Sequence, residues 1–286
     1  RRQRQMCIRD RSTLDPEEQP FLHDHKIGGT AVLPGVMGLE GFAEITKTMF
    51  PDWHVVAIES VDFLAPFKFY RDEPRTLTWK AWFRTEGDDV LASCELVGRR
   101  EIMERTDVKT HFTACVRLAH AQAAFDRADA PPPAESSTVA DSEIYQVYFH
   151  GPAYQVLDTA WRSDGVVVGR MSASLPENHR PVEGPLLIEP RLVELCFQTA
   201  GVWQIGTTGR MGLPRHIDRV KILRRAEDAE GRLHAVVTPR DGGKAFDAYV
   251  TDEAGNLYVA LHGYQTAELP EDVDPDKRRP LRSAMD

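Results

Sequence analysis

The chain contains two helical segments that are apolar on nearly every face, one in each half of the sequence. The first covers residues 35–50 and the second runs from Pro190 to about Gln204. A helix that is hydrophobic all round has to be covered on every side, and the segments around both helices are typical of strands. This order predicts an α+β fold made of two tandem units, each a curved antiparallel sheet that wraps a central helix.

Alternation of apolar and polar residues supports the strand predictions. In residues 109–118, apolar side chains stand at every second position among polar or small neighbours, which indicates a half-buried antiparallel strand. The other predicted strands cover 54–60, 76–84, 90–97, 156–162, 166–174, 219–223, 233–239, 244–252 and 256–266. Residues 252–256 contain a glycine and two turn-forming polar residues, which predicts a hairpin turn.

Three consecutive prolines, at positions 131–133, separate the halves. Proline neither continues a helix nor donates to a sheet, so this stretch predicts a connector. The basic, aperiodic start and the Pro-rich, charged end predict segments outside the fold. The predicted divisions are a tail or linker at 1–13, an N-terminal unit at 14–122, a linker at 123–138, a C-terminal unit at 139–269 and an exit linker at 270–286. Because the first residue is Arg, we expect the chain to be a piece of something longer.

Composition excludes several classes of protein. The chain has 286 residues, of which 42% are hydrophobic and 28% charged, as in globular proteins. A net charge of −9 gives no general attraction to nucleic acid or anionic lipid, and no apolar run reaches the ~20 residues of a membrane span. The four cysteines are scattered, so we expect reduced thiols, no metal site and a cytoplasmic location.

Three segments combine polar side chains with the glycines and prolines of tight turns. They are His25–Gly35 (HKIGGTAVLPG), Phe149–Tyr154 (FHGPAY) and Glu189–Gln198 (EPRLVELCFQ). The first leads into one predicted helix, the second precedes a strand, and the third begins the other helix. Residues four apart share a helix face, so Glu194 and Gln198 are predicted to point the same way.

In this order the three segments resemble the dehydratase domains of polyketide synthases and polyunsaturated-fatty-acid synthases, over roughly Phe21 to Glu268. The resemblance implies a double hot-dog fold with His25 and Glu194 as the catalytic residues. It also implies a set of substrate-binding residues, namely Gly29, Pro34, Gly35, His150, Gly151, Pro152, Tyr154 and Gln198. The family usually has Asp where Glu194 stands and often Tyr where His150 stands. The related single hot-dog dehydratases use Glu with Gln four residues later, as here.

The residue chemistry suits the removal of water from a 3-hydroxyacyl thioester. A neutral His25 is suited to take the α-proton. If burial raises the pKa of Glu194, that residue can protonate the leaving hydroxide. Gln198 would orient the hydroxyl or the released water, and Gly35, at a helix N-terminus, would offer its N–H to the thioester oxygen.

The interpretation as a dehydratase implies neither a metal nor an organic cofactor. The acyl group would arrive on the phosphopantetheine of an acyl carrier protein, next to other synthase domains. The resemblance also implies a homodimer.

Other interpretations stay open at this point. The domain could be catalytically silent and bind an acyl carrier or support dimerisation, or it could be a hot-dog thioesterase or a product-template cyclase. Glu40 is a second candidate carboxylate, more typical of a structural partner on its helix. The sequence from His23 to His25 is also compatible with a polar turn or a metal pair, and His150 with a packing role. The glycines at 206, 209 and 212 predict a flexible loop.

Overall fold

The computed structural model describes residues 6–102, 105–122, 127–135, 137–182 and 184–286. The strands of the N-terminal half are β1 (Met6–Leu14), β2 (Lys26–Ile27), β3 (Thr30–Val32), β4 (His54–Phe63), β5 (Lys68–Phe69), β6 (Arg75–Glu86), β7 (Asp89–Ile102) and β8 (Arg105–Ala119). Those of the C-terminal half are β9 (Val139–Ala140), β10 (Leu157–Ser163), β11 (Val166–Met171), β12 (Arg210–Ile222), β13 (His234–Arg240), β14 (Ala245–Thr251) and β15 (Leu257–Asp272). The helices are α1 (Pro20–His23), α2 (Gly35–Met49), α3 (Asp141–Ile144), α4 (Pro190–Thr208) and α5 (Pro275–Met285).

Each half wraps an antiparallel sheet around one long helix, which confirms the predicted α+β class. Strands β4, β6, β7 and β8 pack on α2, with β1 added to the sheet beside β6, and the strands from β10 to β15 pack on α4. The two sheets are continuous, because β4 pairs with β12 to give a single 12-stranded order. A separate three-stranded sheet, β2-β3-β5, lies beside the start of α2.

Helix α4 is buried on nearly every side, as its sequence predicted. It begins with Pro190, which is favoured in a first helical turn. It is capped at its C-terminal end by Gly209, whose φ of 82° is unstrained because glycine has no Cβ. The glycine-rich segment predicted to be a loop is therefore the end of α4, its cap and the beginning of β12. Each glycine there serves a different element, and together they form no loop.

Both ends of the chain also differ from their predictions. Residues within the predicted tail form β1, which pairs along its whole length with β6 at the edge of the sheet. Its exposed, charged residues are typical of an edge strand and hide the alternation. The predicted exit linker holds the end of β15 and helix α5, which buries Leu281, Ala284 and Met285 against α4.

The segment between the halves forms no regular element in the part that the structure describes, apart from the bridge between Arg127 and Asn256. The hairpin turn at 252–256 is confirmed. The carboxylate of Asp252 accepts hydrogen bonds from the amides of Ala254 and Asn256, at 3.0 and 2.9 Å. Across the described ranges, the helices are all too short or too polar to span a membrane.

Candidate active site

A cavity of about 150 Å³ lies where the two halves meet. Most of its lining is apolar and comes from β3, β8, α4, β12 and the loops before α2 and β10. The polar side chains in the lining are His25, Tyr148, His150, Glu194, Gln198 and Tyr264. An apolar cavity with a few convergent polar groups is the usual form of a small-molecule site.

His25 lies between α1 and β2, and the residue is 8% exposed. The backbone carbonyl of Val32 lies 2.8 Å from its Nδ1 and accepts the proton on that nitrogen. In the neutral ring, Nε2 is then left with its lone pair. Burial, with a smaller contribution from the nearby His150, lowers the pKa of His25 to about 4. The ring is therefore neutral near pH 7 and able to accept a proton.

The loop that carries His150 is fixed to the loop that carries His25. The two histidines form a main-chain bridge, and the Asp24 carbonyl accepts a hydrogen bond from the Gly151 amide at 2.7 Å. The Asp24 carboxylate accepts a second bond, from the Ala153 amide, also at 2.7 Å. A Cβ on Gly151 would lie 2.7 Å from Asp24 Oδ1, so the close approach of these loops requires glycine.

Glu194 faces the cavity from α4 and is held by two side chains. Its Oε1 lies 3.2 Å from Nε2 of His150 and accepts a 2.9 Å hydrogen bond from Nε2 of Gln198. The Gln198 amide also donates to the Tyr154 carbonyl and accepts from the Tyr145 hydroxyl. Because its amide is bonded to these protein groups, Gln198 holds Glu194 in place. That Gln198 also orients the hydroxyl or the released water stays a prediction.

The pKa of Glu194 moves in the direction opposite to the one we predicted. Burial alone would raise it, but the hydrogen bond and charge of His150, the charge of His25 and the hydrogen bond from Gln198 together hold it below its usual range. The burial of Glu194 can be predicted from the sequence, because the residue lies on an apolar helix. The contact with His150 cannot be predicted in this way, because His150 comes from a distant segment of the chain.

The predicted substrate-binding residues divide into two groups. Gly35, His150 and Gln198 line the cavity, and Gly35 is the first residue of α2. The others lie outside the lining and shape the loops around it: Gly29, Pro34, Gly151, Pro152 and Tyr154.

These loop residues have structural positions of their own. Gly29 is exposed in the turn between β2 and β3. Pro34 precedes α2, and its carbonyl accepts from the amides of Met37 and Gly38. Pro152 is exposed and begins a short 3-10 turn that ends at the buried Tyr154.

Glu40, the second candidate carboxylate, is a structural residue. Its oxygens accept hydrogen bonds from the amides of Leu187 and Ile188, at 2.6 and 3.0 Å. Burial raises the pKa of Glu40 to about 7, against the effect of these two bonds. It fastens α2 to the segment that leads into α4 and does not line the cavity.

Three supporting residues were not among the predicted site residues. Asp24 ties the two loops together, Tyr145 holds Gln198, and the Tyr148 hydroxyl donates to the Gln198 carbonyl at 2.7 Å. The run of aromatic residues just before the Gly-Pro turn was the available signal for both tyrosines. Among the described residues, no group of His, Cys, Asp and Glu is arranged to hold a metal ion.

Comparison with known families gives two matches. The model of the polyketide synthase dehydratase N-terminal domain matches residues 119–276, and that of the polyketide synthase dehydratase domain matches residues 3–88.

Two curated proteins are similar in sequence. Erythronolide synthase EryA2 of Saccharopolyspora erythraea is 26% identical over 259 residues, which cover 87% of this chain and 7% of that protein. The highly reducing polyketide synthase lcsB of Purpureocillium lilacinum is 27% identical over 116 residues, 39% of this chain and 4% of that protein. The chain thus spans a small fraction of the curated relatives it matches.

Solved structures share the fold. The dehydratase domain from the CurF module of curacin polyketide synthase superposes with a TM-score of 0.74 at 19% identity, covering 92% of this chain and 94% of that one. A trans-AT polyketide synthase dehydratase domain from Brevibacillus brevis gives a TM-score of 0.69 at 22% identity, covering 91% and 93%. These matches confirm the double hot-dog fold.

Proposed function

This chain belongs to the polyketide synthase dehydratase family, and we propose that it removes water from a 3-hydroxyacyl thioester on an acyl carrier protein to give the α,β-unsaturated thioester. One observation carries the proposal. His25, with its Nδ1 engaged by the Val32 carbonyl, and Glu194 meet in one apolar cavity, each from a different half of the chain.

In the proposed reaction, Nε2 of His25 takes a proton from Cα, and the electron pair of that C–H bond forms the new double bond. The Cβ–O bond breaks, and its electron pair stays on the oxygen. The oxygen takes a proton from the side of the cavity that holds Glu194 and leaves as water. Oxidation states are unchanged overall, so the reaction needs no electron carrier, and neither a metal nor an organic cofactor enters these steps.

Negative charge develops on the thioester oxygen while the Cα proton leaves. Gly35 stands at the first turn of α2 and lines the cavity. The first amides of a helix have no partner within it, and the helix dipole favours negative charge there. We therefore assign the Gly35 amide to the thioester oxygen, a type of contact that typically contributes about 3 kcal/mol to the transition state.

The partners we propose follow from the reaction. An acyl carrier protein presents its phosphopantetheine arm to the cavity, and neighbouring synthase domains supply the 3-hydroxyacyl group and consume the product. We also expect a homodimer, which sedimentation velocity of the purified chain would test.

The proposed function is tested with 3-hydroxyacyl thioesters of N-acetylcysteamine and of an acyl carrier protein, in several chain lengths and both hydroxyl configurations. We expect loss of one water by mass spectrometry, and hydration of the enoyl thioester in reverse. Turnover should collapse in both H25N and E194Q, while the control H234Q should keep it, because His234 is buried away from the cavity.

Other products would indicate other functions. Release of the free acid would identify a thioesterase, and ring formation from a poly-β-keto chain would identify a product-template cyclase. Carrier binding without turnover of any substrate would identify a silent domain.

A further inference from the structure

We propose that His150 is a positioning residue that holds Glu194 and shares with it the proton that the leaving hydroxyl takes. This inference rests on the proposed function, since it names the source of the acid proton in that reaction. The resemblance to the dehydratase family implied that His150 binds substrate. The geometry assigns it to the carboxylate instead.

The two side chains form a buried pair at the wall of the cavity. The side chain of His150 is 5% exposed and that of Glu194 is 7% exposed, and Nε2 of His150 lies 3.2 Å from Oε1 of Glu194. Phe149 stacks on the His150 ring at a centroid distance of 4.4 Å, and Tyr148 meets it edge-on at 5.5 Å. The other ring nitrogen, Nδ1, is buried and has no hydrogen-bond partner among the described residues. The ring is thus held firmly, with one nitrogen on the carboxylate.

The neighbours leave His150 as the group that balances the charge on Glu194. The titratable groups that face Glu194 are His25, Tyr145, Tyr148, Tyr154, Cys196 and Tyr264. Burial keeps the tyrosines and Cys196 protonated and His25 neutral near pH 7. Gln198 donates a hydrogen bond to Glu194 but carries no charge. A buried carboxylate also needs a partner of opposite charge, and His150 stands at hydrogen-bond distance.

The proton balance of the cycle closes with this pair. Before the reaction, the pair holds one proton more than neutral His150 and ionised Glu194 would carry. When His25 takes the Cα proton and the Cβ–O bond breaks, the pair gives its extra proton to the leaving oxygen through Glu194, and water forms. His25 then carries one extra proton and the pair lacks one. Return of that proton across the cavity restores the starting state, with the His25 and His150 ring centroids 5.4 Å apart.

H150Q tests the shared proton, because glutamine can still donate to Glu194 but cannot gain or lose a proton. We expect kcat to fall about 10- to 100-fold with KM within about threefold. We also expect the alkaline limb of the kcat/KM profile to move to lower pH by about one unit or more, since one of the two sites that share the proton is gone. A purely structural role would leave this limb unmoved, and an unmoved limb overturns the proposal.

A second measurement needs no turnover. In protein labelled with ¹³C-glutamate, the Glu194 carboxyl signal is assigned by its absence in E194Q. His150 holds the pKa of Glu194 down, so the Glu194 titration should move upward by about one unit or more in H150Q and stay in place in H234Q. A Glu194 titration that does not move overturns the proposal. The titration can be measured whether or not the chain dehydrates any substrate. It therefore distinguishes failure of the proposed function from failure of this inference.

A double-mutant cycle covers the case in which H150Q does not fold. E194D and H150Y restore the residues that the resemblance led us to expect at these positions. If the two side chains act as a unit, the loss in the E194D/H150Y protein should be at least about tenfold smaller than the product of the two single losses. Losses that simply multiply would show that His150 and Glu194 act independently, and the proposal would fall.

Discussion

His25 and His150 come from opposite halves of the chain, yet they are paired by a main-chain bridge and their rings lie 5.4 Å apart. Asp24 and Gly151, their immediate neighbours, are hydrogen-bonded across the same junction. The proposed base, His25, and His150, which contacts the proposed acid Glu194, therefore lie on two loops that are hydrogen-bonded to each other. A change on either side of this junction acts on both.

Replacing His25 by asparagine should separate catalysis from folding. The asparagine amide can donate to the Val32 carbonyl as Nδ1 does, but it supplies no base at the position of Nε2. We expect kcat to fall about 10²- to 10⁴-fold, the usual contribution of a positioned base. The measurement is the rate of enoyl thioester formation, with thermal unfolding as the check on folding. Activity within tenfold of the wild type would remove His25 from the mechanism.

The stability of the protein should fall as the solution is acidified, and His25 should account for part of the loss. In the unfolded chain this residue takes up a proton near its ordinary pKa of 6.5, whereas in the folded protein the pKa is about 4. The unfolded state therefore binds more protons between these values, and stability decreases as pH falls through the window. The loss of folding stability that is due to His25 reaches about 3 kcal/mol near pH 4.

Urea unfolding of the wild type and H25N between pH 4.5 and 7.5 measures this contribution. The difference in free energy of unfolding between the two proteins should shrink as pH falls, because only the wild type carries the buried neutral imidazole. A constant difference across the range would mean that His25 titrates alike in both states.

Loss of Glu40 should destabilise the fold without removing chemistry. E40A leaves the amides of Leu187 and Ile188 without their acceptor, and each buried amide left unsatisfied costs about 1–3 kcal/mol. We expect a loss of about 2–5 kcal/mol in chemical denaturation. E40Q keeps one acceptor oxygen and should lose less. Activity per folded molecule of E40Q should stay within about threefold of the wild type, and a larger drop would give Glu40 a role in catalysis.

Gly151 should be intolerant of even a methyl group. The added Cβ of G151A would lie 2.7 Å from Asp24 Oδ1, so Asp24 or the His150 loop has to shift. We expect a stability loss of about 1–3 kcal/mol and a fall in kcat/KM of at least about tenfold, since small misplacements in a site are costly. G184A is the matched control, because apart from its chain neighbours no atom of the described residues lies within 4 Å of its added Cβ. Equal effects in the two variants would contradict the assignment.

The sequence predicted those parts of the fold whose signal is local. The apolar patterns of α2 (Gly35–Met49) and α4 follow from burial of most of their surface, which each segment records in its own residues, and Pro190 marks the start of α4. Strand β1 could not be found in this way. It carries Arg9, Asp10 and Arg11, and what makes it a strand is its pairing with β6.

The candidate site shows the same division. The motifs singled out His25 and Glu194 because their residue types and spacing suit the chemistry. The direction of the Glu194 pKa could not be predicted, because it depends on a 3.2 Å contact with His150 that only the folded chain creates. The position of Gln198, whose side chain makes three hydrogen bonds to protein groups, is equally a product of tertiary structure.

The pairing of β4 with β12 has a mechanical consequence. A ladder that runs from Ala57 to Asp62 on one strand and from His216 to Lys221 on the other joins the halves beside the cavity. The two halves cannot separate without breaking the hydrogen bonds between these two strands. The width of the cavity is therefore set by the side chains that line it, and we expect that a bulkier substrate would need smaller side chains in these walls.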